Sequence, residues 1–306
     1  MHVYLEITNI CNRKCSFCPG TARKKLFADP EVLRSRMEKS RVCAETFYLH
    51  VLGEPLLHPQ FGEIVHHCED VGIPVNLTTN GILLTESVQE LLLKTLIFRQ
   101  INFSLQALET EELPILDTIL QFCQKALVRR KDLYVNLRMW NASNTDFSLP
   151  EKDRIFLDRI FRTLDLTFTQ QDLAFRKRKR SLPLQGRLYL HCNDFFEWPV
   201  QRKSVYENGD QKIYCHALSK QVAILADGSV VPCCLDSEGV MTLGNLDEHT
   251  SLQEITDSPR AQRIREGFRN GTAEEALCRK CSYCSTHVTA IRRGIVPGSG
   301  GSEGKS

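Results

Sequence analysis

Three cysteines stand close together near the start of the chain, and their spacing is suited to holding metal. Cys11, Cys15 and Cys18 form the pattern Cys-x3-Cys-x2-Cys directly after a short β-like run. Thiolates are soft ligands that suit iron–sulfur chemistry, so three on one loop can hold three irons of a four-iron cluster and leave the fourth open. A zinc site with its fourth ligand elsewhere, or buried cysteines without metal, are the alternative interpretations of these residues alone.

A second group of six cysteines lies in the C-terminal third of the chain. Four of them can supply every ligand of one cluster and leave no open position. Cys284 could take the place of Cys278, Cys234 is a further neighbour, and a Cys-x2-Cys pair with a remote pair is also typical of zinc ribbons. The predicted ligands, in the pattern Cys-x17-Cys-x44-Cys-x2-Cys, are Cys215, Cys233, Cys278 and Cys281.

The composition bounds the class of protein. The chain has 306 residues, 42% hydrophobic and 25% charged, which is enough for one large α/β domain and a smaller one. Thirteen cysteines without a secretion signal fit metal binding in a reducing compartment, so we expect a cytoplasmic protein. A net charge of +2 gives no reason to expect nucleic acid as a partner, and no apolar run is long enough to predict a membrane span.

The first half of the chain alternates strand-like and helix-like segments, which predicts a parallel sheet closed or partly closed into a barrel. Enzymes of this architecture carry their chemistry at the C-terminal ends of the strands, where each candidate motif falls. The predicted strands are Val3 to Ile7, Thr46 to Val51, Pro74 to Thr78, Gln100 to Leu105 and Leu133 to Met139. The predicted helices are Asp29 to Cys43, Phe61 to Val71, Thr85 to Leu96, Leu113 to Arg130 and Lys152 to Leu164.

The second half predicts a smaller unit. A hairpin over 222–225 and 229–231 should bring Cys215 and Cys233 together, and a helix is expected from Ser251 to Phe268. The basic run 175–180 is typical of a solvated face, although it could bind an acidic or phosphate-bearing substrate. We therefore predict domains at 1–205 and 206–290, and a flexible tail at 291–306.

Both cysteine groups resemble those of a known family. The first resembles the signature of radical S-adenosylmethionine (SAM) enzymes, and Cys215, Gly228 and Cys233 resemble the start of the SPASM or twitch extension found after many of their barrels. The resemblance implies an α/β fold, a partial (β/α)6 TIM-like barrel with a small C-terminal SPASM/twitch domain. It also implies two 4Fe–4S clusters, one SAM-binding and one auxiliary, with S-adenosyl-L-methionine as cofactor.

The resemblance extends to the SAM-binding segments. Leu52-Gly53-Glu54-Pro55 looks like the family's Gly-Gly-Glu-Pro, with Leu52 in place of the first glycine, and implies that Glu54 contacts the amino group of SAM. Thr79-Asn80-Gly81 is similar to a family turn beside SAM, although Asn-Gly is also a common turn. The residues that the resemblance implies at the cofactor are Phe17, Gly53, Glu54, Pro55, Thr79, Asn80, Ser104, Gln106, Arg138 and Asn141.

Glu197 is a candidate catalytic residue for a different reason. It stands among Phe195, Phe196 and Trp198, and a carboxylate buried among aromatic side chains would line a substrate pocket. The alternative is a packed strand edge. Arg138 is the second catalytic candidate, although an arginine at a strand end is as often part of a surface ion pair.

The resemblance implies reductive cleavage of SAM to a 5′-deoxyadenosyl radical, which abstracts a hydrogen atom from the substrate. The one-cluster spacing resembles radical SAM dehydrogenases of aminocyclitol alcohols, so we expect a two-electron oxidation of a small polyol or sugar. The alternative is a maturase that forms a crosslink or thioether in a ribosomally made peptide. Such enzymes often carry an N-terminal leader-binding domain, and only ten residues precede Cys11, which favours the small molecule, although a separate protein can supply leader binding.

The expected partners are a small-molecule or peptide substrate and a flavodoxin- or ferredoxin-type reductant. A non-catalytic iron–sulfur electron carrier or a zinc-binding scaffold is the alternative from another class. It is disfavoured because such a protein has no use for Gly53-Glu54-Pro55 or for an open iron.

Overall fold

The computed structural model describes residues 1–140, 150–167, 181–193, 197–202 and 212–283. The predictions for Asn141, Cys284, the basic run 175–180 and the tail 291–306 lie outside these residues, as do Phe195 and Phe196.

The described strands form one ten-stranded sheet in the order β10-β9-β8-β1-β2-β3-β4-β5-β7-β6. Six neighbouring strands, from β1 through β5 and then β7, are parallel, which confirms the six-stranded partial barrel. The strands are β1 His2–Leu5, β2 Thr46–Tyr48, β3 Val75–Thr79, β4 Phe98–Ser104, β5 Tyr134–Trp140, β6 Ser181–Gln185, β7 Leu188–Asn193, β8 Gln221–Ile224, β9 Ser229–Val231 and β10 Gly244–Asn245.

The predicted hairpin is present as β8 and β9, and it is joined to the barrel sheet. β8 pairs in parallel with β1 while β9 pairs antiparallel with β8. The sheet therefore runs without a break from the barrel into the C-terminal segment. The proposed domain boundary near residue 205 stays a prediction.

The helices of the first half begin and end close to the predicted residues, because local capping signals set their ends. Thr85 caps α3 by accepting a hydrogen bond from the Val88 N–H at 3.4 Å, and α2 ends at Gly72 with φ +75°. No helix in the described ranges is both long and apolar enough to cross a membrane. The helices are α1 Pro30–Ser40, α2 Phe61–Val71, α3 Glu86–Lys94, α4 Leu113–Arg129, α5 Glu151–Thr163, α6 Leu252–Thr256, α7 Pro259–Asn270 and α8 Ala276–Lys280.

The single helix predicted from Ser251 to Phe268 is wrong, because the segment forms two helices, α6 and α7. Ser258 caps α7 through its hydroxyl, and Pro259 occupies the first turn. Proline lacks the N–H that a continuous helix would need at this position and restricts the residue before it. The helical spacing of apolar residues continues across Pro259, so this spacing alone did not indicate that one helix ends and another begins there.

One face of the sheet is apolar and the other is concave and polar. Val3 and Leu5 of β1 are fully buried in the core, whereas Tyr4 between them points to the opposite face. Arg138 on β5 interacts electrostatically with Tyr4, four strands away. In a flat sheet these strands would lie roughly 19 Å apart at about 4.8 Å per strand. The sheet must therefore curve, with Tyr4 and Arg138 on its concave side.

A fully buried carboxylate joins three distant parts of the chain. Glu6, at the end of β1, accepts two hydrogen bonds of 2.8 Å from the Arg23 guanidinium. Its oxygens also accept from the backbone N–H groups of Leu52 at 3.1 Å and Ala226 at 2.9 Å. Arg23 in turn donates to the Ser237 carbonyl at 2.8 Å. The N-terminal cysteine loop, the loop after β2 and the C-terminal hairpin are thus held at one buried charge.

We expect Glu6→Gln to lower the free energy of unfolding by about 3–5 kcal/mol, because it leaves Arg23 charged and buried without its counterion. Chemical denaturation under anaerobic conditions measures the effect. Glu90→Gln is the matched control, since Glu90 also binds an arginine through both oxygens, at 2.6 and 3.0 Å from Arg129, but at the exposed surface. Equal losses in the two variants would contradict the role given to Glu6.

Candidate functional site

The first three cysteines lie on the loop that follows β1, at the C-terminal end of the sheet. Cys11 is exposed and Cys15 and Cys18 are half-buried, with the Cys18 N–H donating to the Cys15 carbonyl at 3.1 Å. Burial raises the pKa of Cys11 and Cys15, and the thiols act on one another in the same direction. Three thiols that converge in this way fit three irons of a cluster, since the cluster binds thiolates and the loop offers no fourth cysteine.

The loop after β2 lies directly against this cysteine loop. Gly53 has φ +77°, and a Cβ atom there would lie 2.3 Å from the Thr8 carbonyl oxygen and 3.0 Å from that of Ile10. The next residue, Glu54, donates its backbone N–H to the Ile10 carbonyl at 2.9 Å. Only glycine fits this position, because a side chain would both strain the backbone and separate the two loops.

The Glu54 carboxylate is engaged within the protein. It is 2% exposed and accepts hydrogen bonds from the Thr79 hydroxyl at 2.7 Å and from the backbone N–H groups of Asn80 at 2.8 Å and Leu56 at 3.1 Å. Burial raises its pKa, and these donors oppose the rise. Glu54 therefore fastens the loop after β2 to the loop after β3. Its predicted contact with an amino group stays a prediction.

The loop after β3 is hydrogen-bonded to the cysteine loop. The Asn80 amide donates to the side-chain oxygen of Asn12, beside Cys11, at 2.8 Å. Thr79 is 2% exposed and Asn80 is 6% exposed, whereas Asn12 is exposed, so the connection runs from a buried loop to the solvent-facing side of the cysteine loop. The loops after β1, β2 and β3 thus form one connected structure at the C-terminal edge of the sheet.

The other predicted cofactor residues lie around the same edge. Ser104 ends β4 and is the register neighbour of Arg138, and Gln106 follows in a short turn. The Gln106 side-chain oxygen is buried and has no hydrogen-bond partner among the described residues, so it is an acceptor available to a ligand. Pro55 is buried at the start of the turn after Glu54, while Phe17 is half-buried in the cysteine loop. Their contacts with a cofactor stay predictions.

The four predicted ligands of the second group do converge. They line one cavity, together with apolar side chains and the polar residues Gln221, Asp236 and Tyr283. The Cys215 sulfur accepts the Ala217 backbone N–H at 3.4 Å, and burial raises the pKa of Cys233 and Cys278, with neighbouring thiols adding to the rise. Cys234 is not part of the cavity lining. The four thiols lining the cavity are Cys215, Cys233, Cys278 and Cys281.

No three of these four thiols lie within 4.8 Å of one another, so they are not gathered as around a single zinc ion. Tetrahedral zinc with bonds of about 2.3 Å requires sulfur atoms about 3.8 Å apart. In the described ranges, the one group of three or more acidic, histidine or cysteine ligand atoms within 4.8 Å of one another is Glu31, Glu63 and His67, with no cysteine in it. Four thiolates around one cavity can supply all the protein ligands of a four-iron cluster.

A small apolar cluster lies between the two cysteine groups. Cys18 of the first group packs against it, and so do Trp198 and Cys234. The Cys234 thiol shares a hydrogen bond with the Tyr4 hydroxyl on the concave face, and burial raises the pKa of Cys234 to about 12. The cluster consists of Val51, Leu52, Ala223, Leu225 and Val231.

A chain of amide side chains crosses the concave face and fixes the tautomer of a histidine. The Asn102 amide donates to the Leu77 backbone carbonyl at 3.2 Å, so its oxygen faces the next strand and accepts from the Asn136 amide at 2.8 Å. The Asn136 oxygen is then the partner of His191 Nε2 at 3.0 Å. A carbonyl only accepts, so the direction of the chain makes Nε2 the protonated nitrogen and leaves Nδ1 as an acceptor.

Arg138 acts electrostatically on two histidines of this face. Burial lowers the pKa of His50 to about 3, and repulsion from Arg138 adds to the effect. Burial and Arg138 lower the pKa of His191 in the same way. Both imidazoles are therefore neutral at pH 7, and Arg138 is the cation among them.

Glu197 does not have the environment that suggested a catalytic role. Its side chain is 52% exposed and lies 3.7 Å from the Arg202 guanidinium. The charge is therefore not buried among aromatic rings, and the reason for the catalytic assignment is removed. Of the isolated cysteines, Cys68, Cys123 and Cys192 are buried, whereas Cys43 is half-buried.

Sequence reasoning missed several residues of the concave face. Asn102, Asn136 and His191 lie in strands where polar residues alternate with apolar ones, and this period of two was an available signal. No such signal marked Glu6 and Arg23, because their partners lie up to 220 residues away along the chain.

Comparison with known protein families matches two parts of the chain. The model described as the radical SAM superfamily matches residues 5–133, and the SPASM model, an iron–sulfur cluster-binding domain, matches residues 215–285. A curated relative is the tungsten-containing aldehyde ferredoxin oxidoreductase cofactor-modifying protein of Pyrococcus furiosus, 31% identical over 91 residues. That alignment covers 28% of this chain and 26% of the relative, so the chain spans about a quarter of its length.

Two solved structures share the fold over nearly the whole chain. SuiB of Streptococcus suis bound to precursor peptide SuiA is similar with a TM-score of 0.60 and 17% identity, covering 95% of this chain and 72% of SuiB. BtrN in complex with AdoMet and 2-DOIA has a TM-score of 0.53 and 16% identity, covering 92% of each chain. At these identities the likeness concerns the fold.

Gly53→Ala tests the contact between the two loops. We expect it to lower iron bound at the first cysteine group and to destabilise the protein, because a Cβ atom cannot fit 2.3 Å from the Thr8 carbonyl oxygen. Gly72→Ala is the matched control, since Gly72 has φ +75° but nothing within 4 Å of the added atom. Gly72→Ala should lower the free energy of unfolding by only about 1 kcal/mol, through backbone strain, and should keep the full iron content. Iron analysis and thermal melting measure both, and identical behaviour would refute the contact.

Cys233→Ala should lower bound iron by about four atoms per chain, the content of one cluster. Cys43→Ala is the control and should bind the parent amount, because none of the groups that act electrostatically on Cys43 is a cysteine. Cys234→Ala should also retain the parent iron if Cys234 is not a ligand. Unchanged iron in Cys233→Ala would exclude the four-thiol cluster.

Proposed function

The chain belongs to the radical SAM superfamily and carries a SPASM iron–sulfur cluster-binding domain, and on this basis we propose that it cleaves SAM reductively and removes a hydrogen atom from its substrate. The net reaction we propose is a two-electron oxidation of a small polyol or sugar-type alcohol. When bound, the first cluster and SAM supply a 5′-deoxyadenosyl radical, which takes a hydrogen atom from a C–H bond.

One observation carries this proposal. The three thiols of Cys11, Cys15 and Cys18 sit on a loop that Gly53, Glu54 and the amide of Asn80 lock to the C-terminal edge of the sheet. A cluster that only carries electrons needs four protein ligands and no ligand-binding site beside it. A catalytic cluster needs an open iron that faces a pocket. The loop supplies three ligands next to a concave polar face, as a catalytic site requires.

The second cysteine group supports an oxidation. Four thiols lining one cavity close the coordination of a cluster, so the group is suited to electron transfer and not to binding substrate. Its position, one apolar cluster away from Cys18, keeps it close enough to receive the second electron of a dehydrogenation.

The concave face favours a hydroxyl-rich substrate. The Asn76 side-chain oxygen and Nδ1 of His50 are buried there without a hydrogen-bond partner among the described residues. Hydroxyl groups both donate and accept, so a polyol can satisfy such groups. The fold also accommodates peptides, since the SuiB structure with a precursor peptide shares it. Our preference for a small polyol rests on these enclosed polar atoms.

Reductive cleavage requires an external one-electron donor. We propose a flavodoxin- or ferredoxin-type protein as this partner, because such proteins deliver single electrons at low potential.

The test is the release of 5′-deoxyadenosine. The anaerobically reconstituted protein should bind about eight irons per chain, for two four-iron clusters, and release 5′-deoxyadenosine from SAM with dithionite. Cys15→Ala should abolish the release because it removes one of the three ligands, whereas Cys43→Ala should release as much as the parent. Eight irons without release would favour an electron carrier, and zinc in place of iron a scaffold; either outcome overturns the proposal.

A further inference from the structure

Arg138 and His191 are neighbours on the concave face. They are register partners on the parallel strands β5 and β7, so their side chains emerge from the same face of adjacent strands, about 4.8 Å apart. Neither residue belongs to the loops that hold the cysteines. Together they present a guanidinium beside an imidazole whose Nδ1 is an acceptor.

The guanidinium of Arg138 has no carboxylate beside it in the described ranges. The groups that act on it electrostatically are Tyr4 and Cys234, and neither is a carboxylate. Two buried carboxylates in the loops after β1 and β2 are committed elsewhere, Glu6 to Arg23 and Glu54 to Thr79 and Asn80. An enclosed cation without a counterion is costly, and an anionic ligand removes that cost.

The surroundings of Arg138 point to a substrate more than to SAM. The side chains that interact electrostatically with it are Tyr4 on β1, His50 just after β2, His191 on β7 and Cys234 in the segment of the second cysteine group. The loops that hold Cys11, Glu54 and Asn80 are tied to one another and not to Arg138. Its charge therefore faces the space between the two cysteine groups.

We propose that this face binds a substrate with an anionic carboxylate or phosphate group at Arg138 and a hydroxyl group next to it that donates to Nδ1 of His191. The chemical class is a hydroxy acid, a sugar acid or a sugar phosphate. Arg138 recognises two anionic oxygens through its planar fork, and the amide chain from Leu77 holds His191 in the tautomer that accepts. This inference rests on the proposed function and narrows its substrate.

The smallest probes that carry these groups test the proposal. Glycolate has a carboxylate beside a hydroxyl, acetate lacks the hydroxyl and ethylene glycol lacks the charge. Saturation-transfer NMR on the anaerobic holoprotein gives their dissociation constants. We expect glycolate to bind more tightly than acetate, and acetate more tightly than ethylene glycol. Inorganic phosphate and glycerol 3-phosphate are a second set of probes. If the phosphates bind more tightly than the carboxylates, the anionic group of the substrate is a phosphate, and if they bind more weakly it is a carboxylate.

Variants assign the binding to the two residues. Arg138→Gln should weaken glycolate by about tenfold or more, because a charge-assisted hydrogen-bonded pair is lost, and Arg138→Lys should restore part of the affinity. His191→Phe should remove the advantage of glycolate over acetate. Arg187→Gln is the matched control: Arg187 lies over the Tyr134 ring at 4.6 Å, and its removal should change no probe affinity.

Three results would overturn the proposal. The first is equal binding of charged and neutral probes by the parent, or no binding of glycolate at all. The second is equal glycolate affinity in Arg138→Gln and the parent. The third is displacement of glycolate by SAM together with an equal loss of SAM affinity in Arg138→Gln, which would place the carboxylate of SAM at Arg138. None of these measurements needs SAM cleavage, so a failure of the proposed function shows separately in the 5′-deoxyadenosine assay.

Discussion

The structure depends on one buried carboxylate. Glu6 is 0% exposed, and its oxygens accept four hydrogen bonds, two from Arg23 and one each from the backbone of Leu52 and Ala226. A charge without solvent is tolerated only when all of its partners are present, because an unpaired buried charge costs several kcal/mol. The cysteine loop, the loop after β2 and the C-terminal hairpin must therefore assemble together. The relative placement of the two cysteine groups follows from this requirement.

The second constraint is the polar concave face. Parallel sheets usually bury apolar side chains on both faces. Here the outer face has Val3, Leu5, Phe47 and Leu77 fully buried, while the inner face carries amides, imidazoles and the Arg138 guanidinium. The amides of Asn102 and Asn136 satisfy one another across the strands, which makes the polar face stable without ligand and holds His191 in a single orientation. Such a face is organised before a substrate arrives, and preorganised polar groups are what oriented radical chemistry requires.

Much of the fold was predictable because its signals are local. Strand and helix positions in the first half followed from apolar periodicity, and Thr85 and Gly72 mark helix ends through their own backbone and side-chain chemistry. The failures were also local in origin. The apolar periodicity continues across Pro259, so it did not indicate the break between α6 and α7. The aromatic neighbours of Glu197 in the sequence suggested that it is buried, whereas its side chain is exposed beside Arg202.

By itself, the sequence indicated which residues can hold iron, because ligand type and spacing point to that chemistry: three thiols at Cys11, Cys15 and Cys18, and a group of six cysteines from Cys215 onward, of which four were predicted as ligands. It also located the strand ends where the cofactor segments lie. Only the tertiary structure decided that Glu54 is hydrogen-bonded to Thr79 and that Glu6 binds a loop and a hairpin up to 220 residues away. It also placed Arg138 beside His191, whose Nδ1 is a hydrogen-bond acceptor. The reason is physical. These contacts depend on strand register and on burial, which pair residues remote in sequence, and no spacing along the chain encodes them.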